Sequence, residues 1–273
     1  MTHDIAKFSA AAWQAAHLAG KIIRAAWHQP RSIDYKGPID LVTSTDRAAE
    51  HTIIKVLQRE LPSHSILAEE QSEIIGVASD YRWVIDPLDG TTNFAHAYPQ
   101  VAVSIALEFS RQIILGLVYD PLRRECFRAV KGQGATLNDE RIRISAVDKL
   151  DQALLATGFP YDRRDNADFY LRFFKAFMTR SQGIRRNGSA ALDLCYVAAG
   201  RLDAFWELKL KPWDVAAGAL IVAEAGGSLS DFSGNAFSIY GTETLASNGI
   251  IHQEMLNVLE GVARPRVDWV LPG

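Results

Sequence analysis

The sequence predicts a layered α+β protein, and two observations carry the prediction. Strand-like runs follow one another as a meander in the first half, whereas strands and helices alternate in the second. Helical periodicity opens the chain, and no internal repeat, charge block or low-complexity stretch interrupts the pattern.

Residues 4–27 set Phe8, Ala12, Ala15, Ala19, Ile22 and Ile23 at helical spacing, with Pro30 beyond the end. A second helix is expected over 46–60, with Ala49, Ile53, Val56 and Leu57 inward and Pro62 closing it. Short apolar strands over 65–68 and 83–85 each run into carboxylates, Glu69-Glu70 and Asp86. Three β-rich runs follow over 101–109, 112–119 and 125–130. The turn Phe109-Ser110-Arg111 and the break Asp120-Pro121 make them antiparallel neighbours. The second half reads as strand 153–157, helix 168–178, strand 183–186, helix 190–199, strand 204–206, helix 214–225 and strand 227–230. The polar turn Asn138-Asp139-Glu140 divides the chain into an N-terminal domain, 1–145, and a C-terminal domain, 146–273. The tail after about 262 is aperiodic.

With 273 residues, 48% hydrophobic and 22% charged, the composition is that of a globular protein. A net charge of −3 gives no general attraction to nucleic acid or to anionic membrane. Cys126 and Cys195 lack a CxxC spacing and read as small buried hydrophobes rather than a disulfide or a thiolate metal site. The N-terminus has no basic segment followed by an apolar one, and no apolar run approaches the ~20 residues that span a bilayer. The cytoplasm is the expected location.

Asp86-Pro-Leu-Asp-Gly-Thr-Thr92 carries the chemistry. A buried strand delivers Asp86, Pro87 stiffens the exit, and Asp89 brings a second carboxylate after a tight turn. Hard divalent cations prefer such oxygen ligands, which the Leu88 carbonyl can supplement. Gly90 permits close backbone approach, and the amides of Gly90, Thr91 and Thr92 precede a helical turn suited to phosphate. Phosphatases that form an aspartyl-phosphate carry Asp-x-Asp-Gly-Thr after a strand; here position 87 is Pro and the first Asp stands one residue too early, so activated water is preferred to a covalent nucleophile. There is no Walker A, GxGxxG or GxSxG motif. Glu69-Glu70 reads alone as a solvated strand end, Asp214 as a helix N-cap, and Asp46 as the start of the second helix.

Taken together, Asp46 after Val-Thr-Ser-Thr, Glu69-Glu70, Asp86 to Phe94, Trp213-Asp214-Val-Ala-Ala-Gly218 and Glu224-Ala-Gly-Gly227 resemble the inositol monophosphatase family, bacterial branch, within the lithium-sensitive metal-dependent phosphatases. The resemblance covers nearly the whole chain. It implies an α/β/α/β/α sandwich of the inositol monophosphatase and fructose-1,6-bisphosphatase type. It also implies Mg²⁺-dependent hydrolysis of a phosphomonoester, with two or three Mg²⁺ per site. Glu69, Asp86 and the Leu88 carbonyl would hold the first metal, Asp86, Asp89 and Asp214 the second, and Glu69 with waters a third. Thr91 would position the attacking water, with Asp46 polarising Thr91 and Glu69 assisting as base. Gly90 and Thr91 would bind the phosphate, Asp89 and Glu207 the substrate hydroxyls, and Gly188-Ser189-Ala190 would wall the pocket. Lys36 matches the family's lysine ahead of Asp46. The family also implies a homodimer.

A small phosphorylated polyol is the expected substrate, myo-inositol monophosphate first, since Glu207 and Ala190 lean that way. Histidinol phosphate, fructose 1,6-bisphosphate, nucleotide 3′-phosphates and NADP remain alternatives on the same metal site. Lys209 and Lys211 are read as solvated, and Arg185-Arg186 as a surface or subunit-interface pair. One member of the bacterial branch joins a transcription antitermination complex. That partner role is not favoured here, because the charge is acidic and no aromatic residues interleave basic ones.

Overall fold

The structure, a computed structural model, describes residues 4–29, 33–35, 41–71, 73–76 and 80–262. Lys36 and the tail lie outside the described residues. The first half runs α1 (Ile5–Ala26), β1 (Ile33–Tyr35), β2 (Leu41–Thr43), α2 (Ser44–Glu60), β3 (Ser65–Ala68), β4 (Tyr81–Asp89), α3 (Thr91–Ala95), β5 (Ala102–Phe109), β6 (Gln112–Asp120), β7 (Glu125–Val130), β8 (Gly134–Leu137) and β9 (Glu140–Arg141). The second half runs β10 (Leu154–Thr157), α4 (Ala167–Met178), β11 (Gly183–Arg185), α5 (Ala190–Ala198), β12 (Ala204–Leu208), α6 (Pro212–Glu224), β13 (Ser228–Ser230), β14 (Glu243–Ser247) and α7 (His252–Glu260).

Hydrophobic faces force these elements into five layers. β3 to β9 form a seven-stranded sheet in chain order, antiparallel except for the parallel β3–β4 pair. α1 and α2 cover one face, where Ala12, Ala15, Ala19, Ile23, Ile53 and Leu57 are fully buried with Trp83, Ile85 and Ile105. The small alanines of α1 let the two helices approach closely. α5 and α6 cover the other face, and their apolar side chains surround Val84, Ala106, Val118 and Phe127. Being buried on both sides, α5 and α6 are apolar all round, as a central helical layer must be. A five-stranded sheet ordered β11-β10-β12-β14-β13 lies beyond them, and α4 and α7 close its outer face through Phe173, Phe177, Met255 and Leu259. The α/β/α/β/α sandwich is present.

The short strands β1, β2, β8 and β9 carry no assignment from sequence, and three larger departures bear on the site and the second sheet. β4 does not end at Asp86 but continues to Asp89, and its register with β5 slips between Asp86 and Asp89. The slip lets both carboxylates leave one strand at its C-terminal end, where a tight turn was expected. β14 sits inside the second sheet and α7 outside it, both unassigned from sequence. Glu-Thr-Leu-Ala-Ser has weak strand character, and only pairing with β12 and β13 makes it one. The two cysteines are buried and free, and burial pushes the Cys126 thiol up to about 12.

His64 is buried against Phe8, Tyr81 and Trp83, stacked on the Tyr81 ring at 4.6 Å. Burial, helped by the charge of Lys7, pushes its imidazole down to about 4. The folded protein therefore keeps His64 neutral while the unfolded chain binds a proton below about pH 6.5. Its contribution is complete above that value and is lost as pH falls toward 4, by up to about 3 kcal/mol. His64→Phe should flatten the decline of Tm over that window; an unchanged Tm profile would exclude the linkage.

Candidate active site

The site forms where β3 and β4 end, beneath the first turns of α2, α3, α5 and α6. Thr43 caps α2, and its hydroxyl and backbone N–H both donate to Asp46 Oδ2, the latter at 2.9 Å. Asp46 is thus at the third position of the helix, which starts two residues earlier than expected. Its other oxygen, Oδ1, accepts the Thr91 hydroxyl at 2.8 Å, so the two side chains are in direct contact. Burial pushes Asp46 above the usual carboxylate range, and the Thr43 and Thr91 donors pull it partly back.

Asp86 is 2% exposed and accepts the Leu88 amide at 2.9 Å. Burial raises its carboxyl well above the ordinary value, and the charges of Glu69, Asp89 and Asp214 raise it further. Asp214 responds likewise to burial, Glu69 and Asp89. The charges of four carboxylates, Glu69 just past β3, Asp86 and Asp89 on β4 and Asp214 on α6, therefore bear on one another. Ser104, directly opposite Asp86 on β5, donates to the Trp213 carbonyl at 3.2 Å and pins the start of α6 beside β4. Asp214 is not the N-cap expected. Pro212 and Trp213 precede it in the helix, and its Oδ2 accepts the Lys211 amide at 2.7 Å. Among the described residues no three His, Cys, Asp or Glu side chains stand as a ready-made ligand set around one point. The donor chemistry nevertheless suits a hard divalent cation: carboxylate oxygens of one charge, buried at Asp86 and Asp89 and half-buried at Glu69 and Asp214.

Gly90, at φ +94°, starts α3, and an added Cβ would lie 2.7 Å from the Gln100 carbonyl. Only glycine fits this left-handed, crowded position. Asp89 Oδ2 accepts the Ser189 hydroxyl at 2.6 Å and the Ala191 amide at 2.8 Å. Burial pushes Asp89 up to about 6, moderated by these donors. Ser189 thus caps α5 and anchors Asp89, more than the wall element that sequence suggested. Glu207, on β12, shares the cleft. Burial raises its carboxyl well above normal, Arg186 opposes this, and Asp214, Asp193 and Asp89 reinforce it. Arg186 is exposed, as the surface reading has it, and its guanidinium lies against Gly188, 2.8 Å from where a Cβ would stand. Lys209, read as solvated, instead contacts Asp162 Oδ2 at 2.5 Å.

Sequence reasoning missed three residues here. Glu50, one turn beyond Asp46 on the same face of α2, is fully buried and accepts the Glu70 amide at 2.8 Å, fixing the backbone next to Glu69. The i, i+4 spacing of two acids on the inward face of an amphipathic helix was its available signal. Gly158 supports Glu207, since a Cβ there would stand 2.2 Å from both carboxylate oxygens. Asn93 follows Thr92 in the motif, and nothing in its sequence neighbourhood signals a role.

The model of the inositol monophosphatase family matches residues 4–264. The chain is 51% identical over 208 residues to the protein named Nus factor SuhB of Pseudomonas aeruginosa, covering 75% of this chain and 77% of that one. It is 45% identical over 257 residues to the inositol-1-monophosphatase of Synechocystis, covering 94% and 90%. The solved structure of the extragenic suppressor protein suhB from Bartonella henselae superposes with a TM-score of 0.90 at 41% identity, covering 93% of this chain and 98% of that one. Family match, relatives and the carboxylate cleft agree, and the chain belongs to the inositol monophosphatase family and is a phosphatase.

Proposed function

We propose that the chain is a Mg²⁺-dependent phosphomonoesterase acting on a small phosphorylated polyol, first myo-inositol monophosphate, by attack of activated water. The observation that carries this reading is the four-carboxylate cleft joined to the hydrogen-bonded Asp46–Thr91 pair. Glu69, Asp86, Asp89, Asp214 and the Leu88 carbonyl would hold two or three divalent ions. Bound there, such ions would neutralise the phosphate, lower the pKa of water and stabilise the leaving oxygen. Thr91 gives its hydrogen to Asp46, which leaves its oxygen free to accept a hydrogen from the water, while Glu69 assists as base. The amides of Gly90 and Thr91 receive the phosphate; Asp89 and Glu207 read the hydroxyls.

A panel of histidinol phosphate, fructose 1,6-bisphosphate, a nucleotide 3′-phosphate, NADP and inositol monophosphate at fixed Mg²⁺ tests the substrate. The highest kcat/KM is expected for inositol monophosphate, and a higher value for any other member would replace it. Gly158→Ala should displace the Glu207 carboxylate and raise KM for the polyol phosphate by about tenfold to 100-fold, with kcat less affected. An unchanged KM would separate Glu207 from substrate. Li⁺ inhibition, a homodimer by light scattering and cytoplasmic residence complete the proposal. Among the described residues no helix is long and apolar enough to cross a membrane.

The name Nus factor, borne by a relative at 51% identity, favours a second, non-catalytic role as a transcription antitermination partner. Co-purification with transcription proteins that survives Asp214→Asn would support it. Its absence would leave the enzyme alone.

A further inference from the structure

Asn93 lies in α3, one turn beyond Gly90, and its side-chain amide faces three backbone carbonyls. Nδ2 donates to Gln100 O at 2.8 Å, Asn187 O at 2.8 Å and Gly188 O at 3.2 Å. An NH₂ group has two hydrogens, so one of them is shared between acceptors. Gln100 leads into β5, whereas Asn187 and Gly188 belong to the segment between β11 and α5, more than ninety residues away. Two of these carbonyls also converge on Gly90, at 2.7 Å (Gln100) and 3.3 Å (Gly188) from where its Cβ would be. The same segment holds Asp89 through Ser189 and Ala191. One helical turn further, buried Asp193 accepts the Asn187 amide at 2.6 Å. Residues 187–191 therefore form a strap tied at three places: to Asn93, to Asp89 and to its own helix.

We propose that Asn93 is a positioning residue that locks the wall of the alcohol pocket, Gly188 to Ala190, to the phosphate turn at Gly90, so that phosphate and alcohol are held in fixed register. The proposal rests on the polyol-phosphatase reading for what the wall contacts. The physical reason is that Asn93 touches neither reacting group, yet its amide joins the element that would receive the phosphate to the one that would face the alcohol. A phosphate ester with a flat aryl leaving group does not depend on that register, whereas a polyol whose hydroxyls must reach Asp89 and Glu207 does.

The test compares Asn93→Ala and Asn93→Asp with the wild type in two measurements. First, hydrogen exchange of the ligand-free protein should show the amides of 187–192 exchanging at least about tenfold faster, with α2 and β5 unchanged. Second, kcat/KM for inositol monophosphate should fall by about 100-fold, and that for 4-nitrophenyl phosphate by far less. Asn93→Asp keeps the shape but sets a carboxylate against three carbonyls, so it covers the case in which the alanine variant fails to fold. Asn93→Ser retains a donor and should recover part of the loss. Unchanged exchange in 187–192, or equal losses on both substrates, would overturn the proposal. If the wild type cleaves the aryl ester but no polyol phosphate, the substrate reading fails, and the exchange measurement alone decides the role of Asn93.

Discussion

Replacing Asp86 or Asp214 by Asn is expected to lower kcat by at least about 1000-fold, some 4 kcal/mol of transition-state stabilisation, while the fold is retained. The fold survives because each side chain keeps its hydrogen bond. The amide oxygen of Asn can still accept from the Leu88 amide at position 86, or from the Lys211 amide at position 214. Activity fails because a neutral amide oxygen is a poor substitute for a carboxylate at a dicationic centre. The two effects are separable by a second measurement. In metal-free protein, Asp86 is buried among the charges of Glu69, Asp89 and Asp214, which oppose its ionisation. Removing that charge relieves repulsion, so Tm in EDTA should hold or rise as kcat collapses. Near wild-type kcat in either variant would sink the assignment, and a fall in metal-free Tm would show that the carboxylate is needed for folding.

What the sequence made legible was local. The segment from Asp86 to Thr92 announced itself because strand, proline, two carboxylates and a glycine turn fall within seven residues. The helices α1 and α2 were readable from their 3.6-residue periodicity, and the meander from its turns. The remainder depends on pairing across long separations. β14 is a strand because β12 and β13 flank it, not because of its composition. Gly158 looks like an ordinary loop glycine until the fold brings Glu207, 49 residues later, against it. Lys209 looked solvated because its partner, Asp162, is 47 residues upstream. Asp214 shows the same limit. Its place at the third helical position is readable from Pro212 only in hindsight, and its company with Asp86 depends on a contact between β5 and α6.

The Asp46–Thr91 pair should behave as one unit, with Asp46→Asn or Thr91→Val each lowering kcat by about 100-fold or more and the double variant little worse than the poorer single. The polarity of the hydrogen bonds explains why. Two donors from Thr43, its amide and its hydroxyl, converge on Asp46 Oδ2, and Oδ1 is left to accept from Thr91. In Asp46→Asn the amide oxygen must take the Thr43 side, so the NH₂ turns toward Thr91. The Thr91 hydroxyl then becomes an acceptor, and its hydrogen points elsewhere, to Leu88 O at 3.2 Å or into the cleft. Its oxygen no longer serves a water as it does in the wild type. Thr91→Val removes the hydroxyl at nearly constant volume and reaches the same result by another route. Thr91→Ser keeps the group and should retain most of kcat. Losses that multiply in the double variant would show that the two residues act independently, and equal activity of Thr91→Val and wild type would remove Thr91 from the mechanism.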